Sequence, residues 1–166
     1  MSLMGEEVVV EWLNRAGYFT IRGIRIGNNE IDVLAIKPAN GGCECRHIEV
    51  SVGINPIGYL TGHGAKKRSD AELRKAVDEW IKKKFNDRAM TLKQSLCRGN
   101  WTKELVLGKI KHEHEIEMLK RKGFIIHRLK DIIGTMNAPD RPVKSAAGAA
   151  LFDLMMLFRE EERRDE

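Results

Sequence analysis

Asn29-Glu30-Ile31-Asp32-Val33-Leu34-Ala35-Ile36, followed after a polar stretch by His47-Ile48-Glu49-Val50-Ser51, decides how this chain is read. Both segments have the aliphatic character of strands, and each carries a carboxylate between apolar neighbours. Asp32 lies between Ile31 and Val33, and Glu49 between Ile48 and Val50. Residues 36–46, with Lys37-Pro38, Asn40-Gly41-Gly42 and Glu44, hold the turn chemistry that lets two strands run side by side. A buried carboxylate is costly unless it is paired or bound to a metal, and two on neighbouring strands also repel. A divalent cation between them relieves both penalties.

Residues of equal parity share one face of a strand. Cys43, Cys45, His47, Glu49 and Ser51 therefore point one way, and Ile48, Val50 and Val52 point the other way into a core. Glu30 and Asp32 share a face of the preceding strand in the same manner. The alternative is a half-exposed hairpin in which Asp32 and Glu49 simply face solvent.

Working outward, Glu6–Ala16 spaces Val9, Trp12, Leu13 and Ala16 as one face of a helix, with Gly17 as its stop. Glu6 continues that buried stripe. Glu7 lines up instead with Glu11 and Asn14 on the polar side, although acids at a helix N-terminus are favoured there in any case. Tyr18–Ile26 reads as a strand ended by Gly27-Asn28. Residues 53–64 are glycine-rich but lack the Gly-Lys-Ser/Thr of a phosphate loop, and a mobile loop over a cleft is expected.

Lys66–Phe85 reads as a helix with the stripe Leu73, Ala76, Val77, Trp80, Ile81 and Phe85. Lys66, Lys67 and Arg68 cluster in its first turn, where cations oppose the helix dipole. With Arg74 and Lys75 they suit contact with nucleic-acid phosphates. Trp101–Ile110 and Phe124–Leu129 read as further strands around a charged helix, about 112–122. His112 and His114, two apart on that helix, diverge toward solvent. Ser145–Phe158 reads as a helix apolar around much of its circumference, to be buried in the monomer or in a partner, and a homodimer contact is expected; 159–166 form a charged tail.

The totals agree with one globular domain of 166 residues carrying a net charge of +5 and a pI near 9.2, which favours a polyanionic partner. No apolar run approaches the ~20 residues of a membrane span, and no signal peptide is expected. Three cysteines do not form a disulfide framework, so a reducing, cytoplasmic home is expected. Cys43-Glu44-Cys45-Arg46-His47 lacks the second ligand pair of a structural zinc site.

The order helix, three strands, helix, strand, with acids on the opening helix and on the second and third strands, resembles the PD-(D/E)xK nuclease superfamily. That group has the restriction-endonuclease-like fold and includes Holliday-junction resolvases, Mrr-type enzymes and RecB-like nuclease domains. The resemblance covers about residues 4–130. It rests on Gly5-Glu6 opening an apolar helix that ends at Gly17-Tyr18, on Asn29-Glu30-Ile31-Asp32, and on Ile48-Glu49-Val50-Ser51. It implies a central mixed sheet flanked by helices (αβββαβ plus C-terminal additions) and a Mg2+- or Mn2+-dependent endonuclease acting on DNA. Asp32, Glu49 and the Val50 carbonyl would hold the metal, and Glu6 would bind through water or hold a second ion.

Ser51 departs from the pattern, because it stands where the family has the lysine of its Glu-x-Lys motif. A neutral hydroxyl cannot supply the charge that stabilises the transition state. Either Lys66 or Lys67 has taken over that task, with His47 as a neighbour, or the chain is a catalytically inactive nucleic-acid-binding or assembly module.

Overall fold

Among the described residues, ten elements follow one another: α1 (Leu3–Arg15), β1 (Phe19–Ile26), β2 (Asn29–Ala39), β3 (Gly42–Ser51), α2 (Asp70–Lys84), α3 (Asp87–Leu96), β4 (Trp101–Leu107), α4 (Glu113–Arg121), β5 (Phe124–Arg128) and α5 (Leu129–Met136). This is a computed structural model, and it describes residues 3–53, 55, 57–62 and 67–136. The strands form one sheet in the order β1-β2-β3-β4-β5. The first three run antiparallel, while β3–β4 and β4–β5 are parallel. Parallel neighbours need a crossover, which α2 and α3 provide before β4 and α4 provides before β5. The result is an α/β fold with a mixed five-stranded sheet flanked by helices.

Both faces of the sheet are covered. Val33, Ala35, Ile48 and Val106 pack against Val8, Val9 and Leu13 of α1 and Ile132 and Met136 of α5. Leu105, Leu107 and Phe124 pack against Leu73 and Val77 of α2 and Ile116 and Leu119 of α4. A smaller cluster joins Ile31 and Leu34 to Ala89 of α3.

Several boundaries differ from the sequence reading. The turn expected over 36–46 shrinks to Asn40-Gly41, because the ladder continues through Lys37↔Glu44 and Pro38↔Cys43 to Ala39↔Gly42. Pro38 is tolerated because β1 has already ended at Phe19↔Ile36. Two helices, α3 and α5, were not foreseen. The inward face of α3 is made of Ala89 and Lys93, which leaves little apolar periodicity to detect. The eight residues of α5 merge in sequence with the apolar strand before them. The helix 145–158, on which the homodimer reading rests, lies outside the described residues. No described helix is long and apolar enough to cross a membrane.

The second helix begins at Asp70 and not at Lys66, because Ser69 is its N-cap and Glu72 completes a capping box. Lys67 and Arg68 therefore precede the helix, and the dipole argument for a first-turn basic cluster falls; Lys66 lies outside the described residues. Glu11, expected on the polar side, is buried and paired with Arg15 at 2.6 Å. The Arg15 guanidinium also donates to the Met136 carbonyl at 3.3 Å, so α5 covers that side of α1. His112, expected in solvent, stacks on the Tyr59 ring with centroids 4.1 Å apart.

The loop after β3 is fastened where it is described, in place of the mobile cover that its glycines suggested. Ile57 pairs with Ile110, and the fully buried Glu115 of α4 accepts from the Leu60 amide at 2.7 Å, the Thr61 amide at 3.0 Å and the Thr61 hydroxyl at 2.5 Å. Glu115→Ala leaves those donors unpaired. Each buried orphan costs roughly 1–3 kcal/mol, so hydrogen exchange at the Leu60 and Thr61 amides should accelerate at least tenfold. Unchanged exchange would show that the carboxylate does not anchor the loop.

Candidate active site

The site begins with a fork in the sheet. The β2–β3 ladder runs in constant register up to Val33↔Ile48 and stops one pair short of Asp32 and Glu49. There the Asp32 carboxylate takes the place of a strand partner, since its Oδ2 accepts from the Val50 amide at 2.7 Å. On the other side of β2, Gly23 lies opposite Asp32 and is missing from an otherwise continuous β1–β2 ladder. Its φ of +63° is costly for any residue with a Cβ. Alternation breaks at the same point: Ile31 packs with Leu34 and Ala89 and not with Val33 and Ala35. A kink at Gly23 thus turns the end of β2 and opens a gap beside β3.

Asp32 and Glu49 meet at that gap, and Glu6 lies near enough to feel the charge of Asp32. Asp32 is 5% exposed, Glu49 2% and Glu6 3%, so the solvent-facing hairpin does not describe them. Glu6 arrives on the first turn of α1, which lies unusually close to the end of β3. A Cβ on Gly5 would come within 2.9 Å of the Val52 Cβ, so only glycine allows this approach. Glu7 instead pairs with Arg22 at the surface. Oε1 of Glu6 is buried and has no hydrogen-bond partner among the described residues.

The cation among these acids is Lys84, at the end of α2. Its ammonium contacts Glu49 Oε2, lies 3.8 Å from Asp32 Oδ1 and donates to the Glu30 carbonyl at 3.0 Å. Sequence reasoning expected the start of α2 here, whereas its end is what arrives. Lys67 is exposed and lies beyond Asp70, and Asp70 alone is ~21 Å from Lys84 along the helix axis at 1.5 Å per residue. A signal for Lys84 was present, because it sits seven residues after Val77 and four after Trp80 on the apolar stripe of α2. Ser51 is half-buried, with its carbonyl accepting from the Gly108 amide at 3.0 Å. Arg68 donates to the Thr61 hydroxyl at 3.2 Å and lies over the Tyr59 ring, while Arg74 and Lys75 are exposed on α2.

The electrostatics are those of a crowded site. Burial, reinforced by the Glu49 charge, pushes Asp32 up to about 6. Burial pushes Glu49 up to about 7 against the opposing pull of Lys84. Burial followed by the charges of Asp32 and Glu30 also raises Glu6. Burial works to lower Lys84, but Glu49 and Asp32 outweigh it and the ammonium is held more firmly. His47 is wholly buried beneath Glu49 and is driven down to about 2 by burial and then by Lys93 and Lys84, so its imidazole is neutral.

Another buried carboxylate provides the contrast. Glu104 on β4 is also pushed upward by burial, yet it is held down at about 2 by its partners. Arg46 engages both of its oxygens, His127 Nε2 lies at 2.6 Å and the Thr102 hydroxyl donates at 2.5 Å. Glu104 is saturated and structural. For Asp32, Glu49 and Glu6, by contrast, burial outweighs the positive charge supplied to them.

Among the described residues, no three His, Cys, Asp or Glu side chains are grouped closely enough to hold a metal ion as they stand. The donor chemistry nevertheless fits a hard divalent cation: two carboxylates meet at one ammonium, and the buried Glu6 Oε1 has no partner among the described residues.

No family model matches the chain, and no curated protein matches it. Among solved structures, the crystal structure of the protein of unknown function AF1548 is similar, with a TM-score of 0.52 and 16% identity over 80% of this chain and 65% of that one. The crystal structure of a repair endonuclease from Pyrococcus abyssi aligns with a TM-score of 0.44 and 15% identity over 77% of this chain and 46% of that one. The chain therefore spans 65% of the length of the first and less than half of the second. At 16% identity the likeness extends to the fold alone: what this chain shares with the first of them is its α/β architecture.

Proposed function

We propose that this chain is a Mg2+- or Mn2+-dependent nuclease that hydrolyses phosphodiester bonds in DNA. The observation that carries the reading is the convergence of Asp32 and Glu49 on one ammonium where β2 and β3 part. Asp32, Glu49 and the Val50 carbonyl would hold the metal, with Glu6 acting through water or on a second ion. A bound divalent cation acidifies water and neutralises charge building on the phosphate. Glu49 and Asp32 would hold the ion, and their free oxygens would accept hydrogen bonds that orient the water, while their burial limits access of other solvent. Lys84, in place of Lys66 or Lys67, supplies the cation that Ser51 cannot, stabilising the negative charge of the transition state. The exposed Lys67, Arg74 and Lys75 give phosphate contacts away from the reacting bond, and Arg68 orders the loop beside them.

The test is cleavage of plasmid and branched DNA in Mg2+ or Mn2+. Asp32→Ala should lower the rate by roughly 10³-fold, since losing a metal ligand removes several kcal/mol of transition-state stabilisation. A folded protein that cleaves no DNA form would overturn the enzyme reading. Salt-sensitive DNA binding without cleavage would instead establish the inactive binding module that the serine at position 51 favours.

A further inference from the structure

Beneath Glu49 lie two buried polar side chains to which the proposed chemistry gives no task. Lys93 of α3 is 2% exposed and His47 of β3 is 0% exposed. Burying a lysine is expensive, and among the described residues no carboxylate is paired with this one. Its ammonium lies 3.3 Å from His47 Nδ1, with the rings of Phe85 and Trp101 at 5.6 and 6.0 Å. The other ring nitrogen, His47 Nε2, lies 3.0 Å from Glu49 Oε1.

The chemistry of the donors fixes the direction of this chain. An ammonium has three donors and no acceptor, so the nitrogen that meets Lys93 must be the unprotonated one. A neutral imidazole then carries its proton on Nε2 and donates it to Glu49 Oε1. The two carboxylate oxygens are thereby divided, because Oε1 is engaged from below while Oε2 faces Lys84 in the site. The Phe85 ring packs over His47 with centroids 4.1 Å apart and follows Lys84 in the chain, so the end of α2 closes on imidazole and carboxylate together.

We propose that Lys93 and His47 are positioning residues for Glu49. Lys93 selects the imidazole tautomer, and His47 holds the carboxylate with Oε2 turned toward the cation. The proposal rests on reading Asp32 and Glu49 as the cation site, and it gives the buried lysine a reason to be there. Partners of this kind orient a ligand and raise its affinity for metal, and removing them typically weakens binding by roughly 10–100-fold.

Long-range 1H–15N spectra of the metal-free full chain, with the His47 signals assigned through His47→Gln, read the tautomer directly. The expected result is a neutral His47 protonated on Nε2, and a shift toward the Nδ1-protonated form in Lys93→Met. Titration with Mn2+ should show about tenfold weaker binding in Lys93→Met and His47→Leu. His47→Gln, whose amide still donates to Oε1, should bind within a few-fold of wild type. The His47 pair carries the comparison without disturbing α3 should Lys93→Met fold poorly. A proton on Nδ1 in the wild type, or a tautomer unmoved by Lys93→Met, overturns the proposal. So does unchanged Mn2+ affinity in both Lys93→Met and His47→Leu. A wild type that binds no Mn2+ but shows the expected tautomer and its shift counts against the cation site and leaves the arrangement of Lys93, His47 and Glu49 supported.

Discussion

Asp32→Asn should make the metal-free protein more stable at pH 8 while abolishing cleavage. Asparagine keeps an oxygen to accept the Val50 amide that Asp32 holds at 2.7 Å, and it removes a buried charge beside Glu49. The direction follows from linkage. Asp32 titrates at about 6 in the folded chain, above the ordinary 3.8. Its contribution to stability is therefore full below pH 4 and is lost as the pH rises through about 6. The advantage of asparagine should be absent near pH 4, appear across pH 4–6 and level off above it. A gain of about 1–3 kcal/mol is expected, because each unit by which the pKa is raised corresponds to 1.36 kcal/mol and Lys84 already offsets part of the strain. Thermal melts at pH 4 and pH 8 check it, and an asparagine variant less stable than wild type at pH 8 would show that Asp32 is kept for the fold. Stability gained where activity is lost is the signature of a strained functional residue.

Lys84→Met should have the opposite effect on stability. Its ammonium touches Glu49 and lies 3.8 Å from Asp32. Removing one partner from a buried ionic cluster leaves uncompensated charge and typically costs about 3–5 kcal/mol. That loss should appear at pH 8 and shrink toward pH 5, where Asp32 and Glu49, raised to about 6 and 7, take up protons and no longer need a counter-charge. Mn2+ then separates a structural lysine from a site for cations. A divalent ion should restore the stability of Lys84→Met at pH 8 and raise its melting point more than that of wild type. Cleavage should remain depressed by roughly 10²–10³-fold, because the ion cannot also supply the positive charge that the proposed reaction assigns to Lys84. Failure of Mn2+ to restore stability would argue that Asp32 and Glu49 form an ion-pair core and not a metal site.

Much of this was legible from the residues because strands have a short, rigid period. Once Asn29–Ile36 and His47–Ser51 were read as neighbouring strands, two-residue alternation alone put Glu49 with His47 and Ser51 and set Ile48 and Val50 against α1. Helix phase likewise separated Glu6 from Glu7. The same phase argument failed for Glu11, which faces α5, a helix too short to stand out in the sequence.

The missing lysine shows where such reasoning stops. Lys82, Lys83 and Lys84 are chemically identical neighbours, and Lys66 and Lys67 lie nearer in sequence to Ser51. Which of them reaches Glu49 depends on where Ser69 starts the helix and on how Trp80, Ile81 and Phe85 seat it on the sheet. Lys93 was harder still, since a lysine on the inner face of α3 erased the periodicity that would have announced the helix. By itself the sequence determined the approximate strands, the pairing of Asn29–Ile36 with His47–Ser51 and the two carboxylates on them, because those follow from local periods and turn chemistry. Only the tertiary structure decided the kink at Gly23, the close approach at Gly5 and the lysines that flank Glu49, because each depends on packing between elements far apart in the chain.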